Sequence, residues 1–383
     1  MVQNLDSSGI IGSIYASCDN PRNPWQKIRN FLPDSTLANL PHRNSKLLGH
    51  RLHFNVRHLL LLLSMNLPPK YSVVIPVYNR AEELDELLQS LVEQTLKNFE
   101  VIIVEDGSQH TAAHVYEKYS SGLSIQYIVK PNSGPGPSRN IGFEKARGEY
   151  AIVFDSDCIL PPNYFESVEK HLAVNPLDAW GGPDRGHEKF TTVQRAMAYT
   201  MGSFLTTGGI RGGENQKDSY QPRSFNMGMS RKVVEKTGGF AFDRLAEDIE
   251  LSIRMRKAGF RVGLIPDAFV YHKRRTNFHQ FFSQVQGFGR GRVRVGQKHP
   301  GEVKLMHWFP AVFLLGLIGL PLFFIVDQFL FNLEALGLAI YLLAIFFDSL
   351  RSTKSFGIAI LSVPSAIVQL TGYGLGFLKE KFG

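Results

Sequence analysis

Between residues 71 and 154, apolar runs closed by turn-forming or polar residues alternate with amphipathic stretches. No other feature of the chain constrains its fold as strongly. "YSVVIPVYN" (71–79) is a short apolar run ending in a turn. "AEELDELLQSLVEQT" then places Leu84, Leu87, Leu88, Leu91 and Val92 at helical spacing. "FEVIIVEDGS" is a second apolar strand, with Glu105, Asp106 and Gly107 at its end. A further helical stretch, the strand "SIQYIV" (124–129), the loop-to-helix segment "GPGPSRNIGFEKARG" and the strand "EYAIVF" complete the series. Strand and helix in alternation predict an α/β fold, a mostly parallel sheet with helices on both faces. Such sheets bind ligands beyond the C-terminal ends of their strands. Tyr78, Asn79, Asp106 and Asp155 all fall at such ends.

The last strand runs into Asp155 and Asp157, two carboxylates one residue apart. Like charges so close repel, and burying either is costly. A divalent cation between them would remove the difficulty; so would exposure in a turn.

The chain has 383 residues, enough for a large domain and something more. Its net charge of +8 favours phosphate-bearing or anionic-membrane partners. Two cysteines, Cys18 and Cys158, give no disulfide framework and no zinc pattern, which is consistent with a reducing compartment. Residues 308–326 carry no charge and are long enough to cross a bilayer. A second span covers roughly 329–347, with Glu334 near its start. A third covers roughly 356–378 and includes Ser362, Ser365, Gln369 and Thr371. Arg351 and Lys354 follow the second span, whereas the loop before it has only Asp327. The positive-inside rule therefore places the large N-terminal region in the cytosol. Lys379 and Lys381 fit a third full crossing poorly, and a re-entrant segment is the expectation there. Residues 1–64 lack sustained periodicity and read as a poorly ordered extension, or as sequence preceding a natural start at Met65.

Four segments, "VVIPVYNR", "VEDGS", "NSGPGPSRNIGFEKARGEYAIVFDSD" and "EDIEL", stand in the order and at about the spacing of the family 2 glycosyltransferases with the GT-A fold, which the chain resembles over roughly 70–275. The resemblance implies a Rossmann-like GT-A domain followed by C-terminal transmembrane helices. It implies inverting transfer of a sugar from a nucleotide diphosphate sugar, a UDP-sugar first among them, to a glycan or lipid-linked acceptor, as in polysaccharide biosynthesis. Hard divalent ions take oxygen ligands and bridge carboxylate to phosphate. In this family the last Asp of the triplet usually touches Mn²⁺ or Mg²⁺, and the first lies near ribose or metal. Asp157 is accordingly the stronger metal ligand and Asp155 the weaker. Asp106 matches the residue that accepts a base N–H. Tyr78 offers an aromatic face, Arg80 a phosphate partner, and Pro76 lies at the strand end, where a purely structural role is the simpler account. Glu105 reads as a surface acid. Gly134 and Gly136 let the chain approach a ligand, and Arg139 is placed near the donor. Asp248, on the first turn of a helix, matches the catalytic base. A helix dipole would favour an acid there in any case. Glu247 should point elsewhere. Asp184, in "GGPD", sits where donor or acceptor contacts fall, and His272, in "FVYHKRR", where a metal shell is completed in some relatives.

From 268 to 301 there are seven Lys or Arg residues and no acid. Phe278, Phe281, Phe282, Val285 and Phe288 repeat at nearly helical spacing opposite His279, Gln280, Ser283 and Gln284. This predicts a basic interfacial helix on an anionic leaflet, or a packed surface helix. The organisation expected is thus a catalytic domain over 65–275, an interfacial segment over 276–304, and two to three membrane helices over 305–383. "QVQGFGRGR" lacks the Gln-X-X-Arg-Trp signature of processive relatives, which favours transfer of one sugar. No base-reading motif points to nucleic acid. A nucleotidyltransferase would share the sheet and the paired acids, but "VIPVYNR" lacks a Gly-rich phosphate loop. An inactive membrane scaffold would be expected to have lost Asp157 or Asp248.

Overall fold

The structure, a computed structural model, describes residues 68–185, 190–208, 220–272 and 275–383. The expected N-terminal extension and Lys273 and Arg274 of the basic run lie outside the described residues.

The strands form as the apolar runs predict. β1 (Tyr71–Val77), β2 (Phe99–Asp106), β3 (Ile125–Lys130) and β4 (Tyr150–Phe154) pair in parallel in the order β3-β2-β1-β4. Their side chains alternate between the faces of the sheet. Val73, Ile75 and Val77 enter one core with Leu84, Leu87, Leu88 and Leu91 of α1 (Ala81–Val92). Val74 and Val153 enter the other. α2 (Ala113–Tyr119) and α3 (Pro135–Lys145) are the crossover helices that parallel pairing requires.

Beyond β4 the chain makes a two-residue strand, β5 (Cys158–Ile159), and then α4 (Tyr164–Val174). β6 (Ala179–Gly181) and β7 (Asp184–Arg185) follow, then the helices α5 (Thr192–Gly202) and α6 (Phe204–Thr207). The main sheet is extended by β8 (Asn226–Ser230), antiparallel to β4 and β6, and by β9 (Val262–Leu264). Between these two strands lie α7 (Arg231–Thr237) and α8 (Glu247–Lys257). β10 (Val270–His272) pairs with β5 and β7 in a separate three-stranded sheet. That small sheet brings His272 opposite Cys158, next to the carboxylate pair.

α9 (Phe278–Lys298) forms where the amphipathic repeat predicts. Its apolar side is covered by the chain itself: Phe281 and Val285 are buried with Met197 and Met201, and Val368 packs against them. Its basic residues are partly paired: Arg290 and Arg294 reach Glu380 at 2.8 Å each, and Lys298 reaches Glu250 at 3.0 Å.

A 3-10 turn, Leu305–His307, leads into α10 (Phe309–Val326), then α11 (Gln328–Thr353) and α12 (Phe356–Phe382). All three are long and apolar enough to cross a membrane. α12 is one continuous helix, about 40 Å long at 1.5 Å per residue. The break that a re-entrant segment needs is therefore not found there. Half of its most apolar window is buried, against 6% for α11. The reason is packing on α9: a Cβ at Gly289 would lie 2.1 Å from the Tyr373 carbonyl oxygen, and one at Gly376 would lie 2.1 Å from that of Gln286. Only glycine permits this approach of two helix backbones.

Candidate active site

The C-terminal ends of β1, β2 and β4 open on a cavity of about 1830 Å³. At the end of β2, Asp106 is buried. Its carboxylate accepts hydrogen bonds from the Ser133 and Gly134 amides at 2.8 and 2.9 Å, and from Lys130. It thereby ties the glycine loop before α3 to the sheet edge. Glu105 is not the surface acid expected. It is fully buried and accepts from Tyr127 Oη (2.9 Å), the Ala112 amide (2.8 Å) and Ser108. Through Ser108 and the Ala112 amide its carboxylate organises the turn after β2. Pro76 lines the cavity from β1. Tyr78 also lines it and is 47% exposed, so its ring is not consumed by strand-end packing. Asn79 adopts φ +52° and uses its side-chain oxygen to accept from the Gln109 amide. Asparagine tolerates this left-handed conformation well.

The carboxylate pair divides its partners. Asp155 Oδ1 accepts from Arg139 Nη2 at 2.7 Å. Asp157 Oδ2 accepts from Arg80 Nη1 at 2.7 Å, and its Oδ1 lies 3.2 Å from His272 Nε2. Burial alone would raise the Asp157 carboxyl, but His272, then Arg80 and Arg275, hold it well below the usual carboxylate range. Asp157, Cys158 and His272 bring one potential ligand atom each to within 4.8 Å of one another. Asp155 lies outside this cluster. The Cys158 thiol is pushed up by burial and donates to the Phe225 carbonyl at 3.4 Å. The carboxylate and imidazole that remain are an oxygen and a nitrogen donor, a set that fits a divalent ion sharing its shell with phosphate. Asp184 lines the same cavity from β7.

Asp248 stands on the first turn of α8, as the sequence predicts. Its Oδ1 accepts from the Ile249 amide at 2.7 Å, and Oδ2 lies 3.7 Å from Arg223. Glu247 corrects the expectation that it points away. It is buried and accepts from Arg139 Nη1 at 2.8 Å. The turn is made possible by Ala246, which sits at φ +58°, an unfavourable conformation for a residue with a Cβ. That kink aims Glu247 inward and leaves Asp248 on the cavity wall. Burial pushes the Glu247 carboxyl up to about 7, with Arg139 opposing and Asp248 reinforcing. Arg139 is itself buried, bridging Asp155 and Glu247 and held charged by both against its burial. The sequence also gave no sign that Arg223, Arg292 and His307 line this cavity.

Residues 72–238 match the family model described as glycosyl transferase family 2. Among curated proteins, an uncharacterized glycosyltransferase of Rickettsia bellii is 38% identical over 106 residues, 28% of this chain and 15% of the relative. Glycosyltransferase GlyA of Streptococcus pneumoniae is 33% identical over 110 residues, 28% of this chain and 16% of its own. A cholesterol galactosyltransferase of Borreliella burgdorferi is 40% identical over 89 residues, 23% of this chain and 25% of its own. The chain thus spans a quarter or less of these relatives' length. Among solved structures, a mannosyltransferase of Pyrobaculum calidifontis in complex with GDP-Man and Mn²⁺ has a TM-score of 0.53 at 16% identity, covering 86% of this chain and 96% of that one. That likeness is one of fold. The sheet and the matched segment agree: residues 72–238 match glycosyl transferase family 2 within a GT-A-like fold, and three apolar helices long enough to span a membrane follow.

Proposed function

We propose that the protein is a membrane-anchored inverting glycosyltransferase that moves one sugar from a nucleotide diphosphate sugar to a glycan or lipid-linked acceptor at the cytosolic face. The observation that carries this reading is the convergence of Asp106, the Asp155/Asp157 pair and Asp248 on one cavity. Asp106, with Tyr78 above it, would meet the base. Asp157 and His272 would hold a divalent ion, with Asp155 at its margin or at the ribose. Such an ion supplies charge neutralisation for a leaving diphosphate. Arg80 and Arg275 lie beside the same carboxylate and would turn to the phosphates once Asp157 is engaged. Arg139 orients Asp155 and cannot leave without stranding Glu247. Asp184 would contact the sugar. The acceptor oxygen attacks the anomeric carbon as that carbon's bond to the diphosphate oxygen breaks. The bond's electrons leave with the diphosphate, and Asp248 takes the acceptor proton. The likeness to a structure holding GDP-Man and Mn²⁺ supports the donor class and the ion without choosing the base or the sugar. The absence of positive charge between α10 and α11, against Arg351 and Lys354 at the C-terminal end of α11, supports the cytosolic placement.

A screen of nucleotide sugars with Mn²⁺ or Mg²⁺, scored by release of nucleoside diphosphate, tests the reading. Metal-dependent release from at least one donor is expected. Binding of nucleoside triphosphate with pyrophosphate release would favour a nucleotidyltransferase instead.

A further inference from the structure

The cavity does not end at the catalytic carboxylates. It continues along the polar side of α9, which the repeat in the sequence had left without a partner, and reaches the start of α10 and the middle of α12. Two properties of this extension stand out. The first is charge. Arg292 on α9 is 6% exposed, and no carboxylate lies within ion-pair distance of it among the described residues; its hydrogen bond is to Tyr373. Arg223 lies 3.7 Å from Asp248 and within electrostatic reach of Arg292. Two guanidinium groups therefore share one carboxylate in a largely desolvated place. A buried cation without its own counterion is costly. Beside them His307 is buried, and its Nδ1 accepts from the Lys304 amide at 2.8 Å. That leaves Nε2–H as a further donor. Gln369 in the same wall is 8% exposed, and its Oε1 has no partner among the described residues.

The second property is the mouth. Phe204, Met306 and Phe309 line the cavity yet are 73%, 44% and 43% exposed. Phe309 begins a helix that is apolar along its whole length. An apolar rim opening beside membrane-type helices suits a hydrocarbon chain and does not suit a soluble sugar.

Resting on the transferase reading above, we propose that the acceptor is a phosphate-bearing lipid. Its headgroup charge is met by Arg223, Arg292 and His307, and its chain leaves past Phe204, Met306 and Phe309. A hydroxyl of the same headgroup then reaches Asp248. This assigns the helices a part in acceptor binding as well as anchoring. It also explains why the polar side of α9 faces the cavity.

The test uses the full chain in a nonionic detergent and calorimetric titration with dodecyl phosphate, dodecanol and inorganic phosphate. Dodecyl phosphate is expected to bind at least tenfold tighter than either of the others. In Arg292→Gln that advantage falls about tenfold, in Arg292→Lys by less, and Mn²⁺-dependent affinity for nucleoside diphosphate is retained in both. Equal binding of dodecyl phosphate and dodecanol, or of dodecyl phosphate and inorganic phosphate, overturns the proposal. So does an advantage that survives Arg292→Gln. Should the glutamine variant fail to fold, the three titrations of the native chain decide alone. Loss of nucleoside diphosphate binding in the native chain would instead count against the transferase reading itself.

Discussion

Arg139 Nη1 lies 2.8 Å from Glu247 Oε1 while its Nη2 lies 2.7 Å from Asp155 Oδ1, so one buried guanidinium joins the strand end that carries the Asp155/Asp157 pair to the helix start that carries Asp248. The two halves of the site are 92 residues apart in sequence, counted from 155 to 247. They are held together by a contact that is expensive to break from one side. Removing one partner of a buried pair typically costs about 3–5 kcal/mol. Arg139→Met is expected to lower stability by about that amount. It should also lower turnover beyond what the loss of folded protein explains, because the strand end carrying Asp155 and the helix start carrying Glu247 would lose the guanidinium that ties them together. Chemical denaturation and turnover per folded molecule check this.

Glu247 should make stability depend on pH in a particular window. Its folded carboxyl sits at about 7, above its ordinary value of 4.5. Between those values the folded chain holds a proton that the unfolded chain has released. The stability this group contributes is therefore full below about 4.5 and is lost as pH rises to about 7, with a slope of at most about 1.4 kcal/mol per pH unit. Glu247→Gln should flatten that portion of the profile. Denaturant midpoints of both proteins from pH 5 to 8 would show it, and parallel profiles would remove Glu247 as the cause.

Asp157→Asn should reduce Mn²⁺-dependent affinity for nucleoside diphosphate at least tenfold, because the variant loses the one carboxylate near His272 in the candidate cluster. His272→Ala should act in the same direction and less strongly. Calorimetry with and without the ion separates metal-dependent binding from the contribution of Arg80, which persists in both variants.

Gly182 is a packing test of the small sheet. A Cβ there would fall 1.6 Å from the Ala268 carbonyl oxygen and 2.4 Å from Asn226 Nδ2, which donates to that same oxygen. Gly182→Ala should cost about 2 kcal/mol or more, since the backbone itself must shift. It should also displace β10 and with it His272, so metal affinity and stability should fall together.

What could be read in the sequence follows a physical divide. Strand-end residues such as Asp106, Asp155 and Asp157 were legible because a run of Val and Ile fixes where a strand stops, and a parallel sheet fixes which end binds. The helix that carries Asp248 was legible from its repeat, whereas Asp248 itself was singled out by the family resemblance. Glu247 and Glu105 were misjudged because their burial is decided by residues far along the chain: Arg139 for one, Tyr127 and the Ala112 amide for the other. Ala246 gave no warning, since a left-handed alanine is imposed by its surroundings and not chosen by propensity. The role of α9 was half visible. Its two sides could be read from the repeat, but only the close approach of Gly289 and Gly376 shows that the apolar side meets α12 and the polar side meets the cavity.

In the proposed reaction Asp248 removes the acceptor proton while Asp157 acts on the diphosphate. A carboxylate contributes as general base typically 10²–10⁴-fold. Asp248→Asn keeps the oxygen that accepts the Ile249 amide, so the helix start is preserved. With the donor found by the nucleotide sugar screen, turnover, donor affinity and melting temperature should be measured on one preparation of this variant. Turnover per folded molecule is expected to fall by about 10²–10⁴ with donor affinity nearly unchanged, and the melting temperature falls as well because Arg223 and Arg292 lose the carboxylate they share. Near-native turnover per folded molecule would contradict this and leave Asp248 as a helix-start acid with no part in the chemistry.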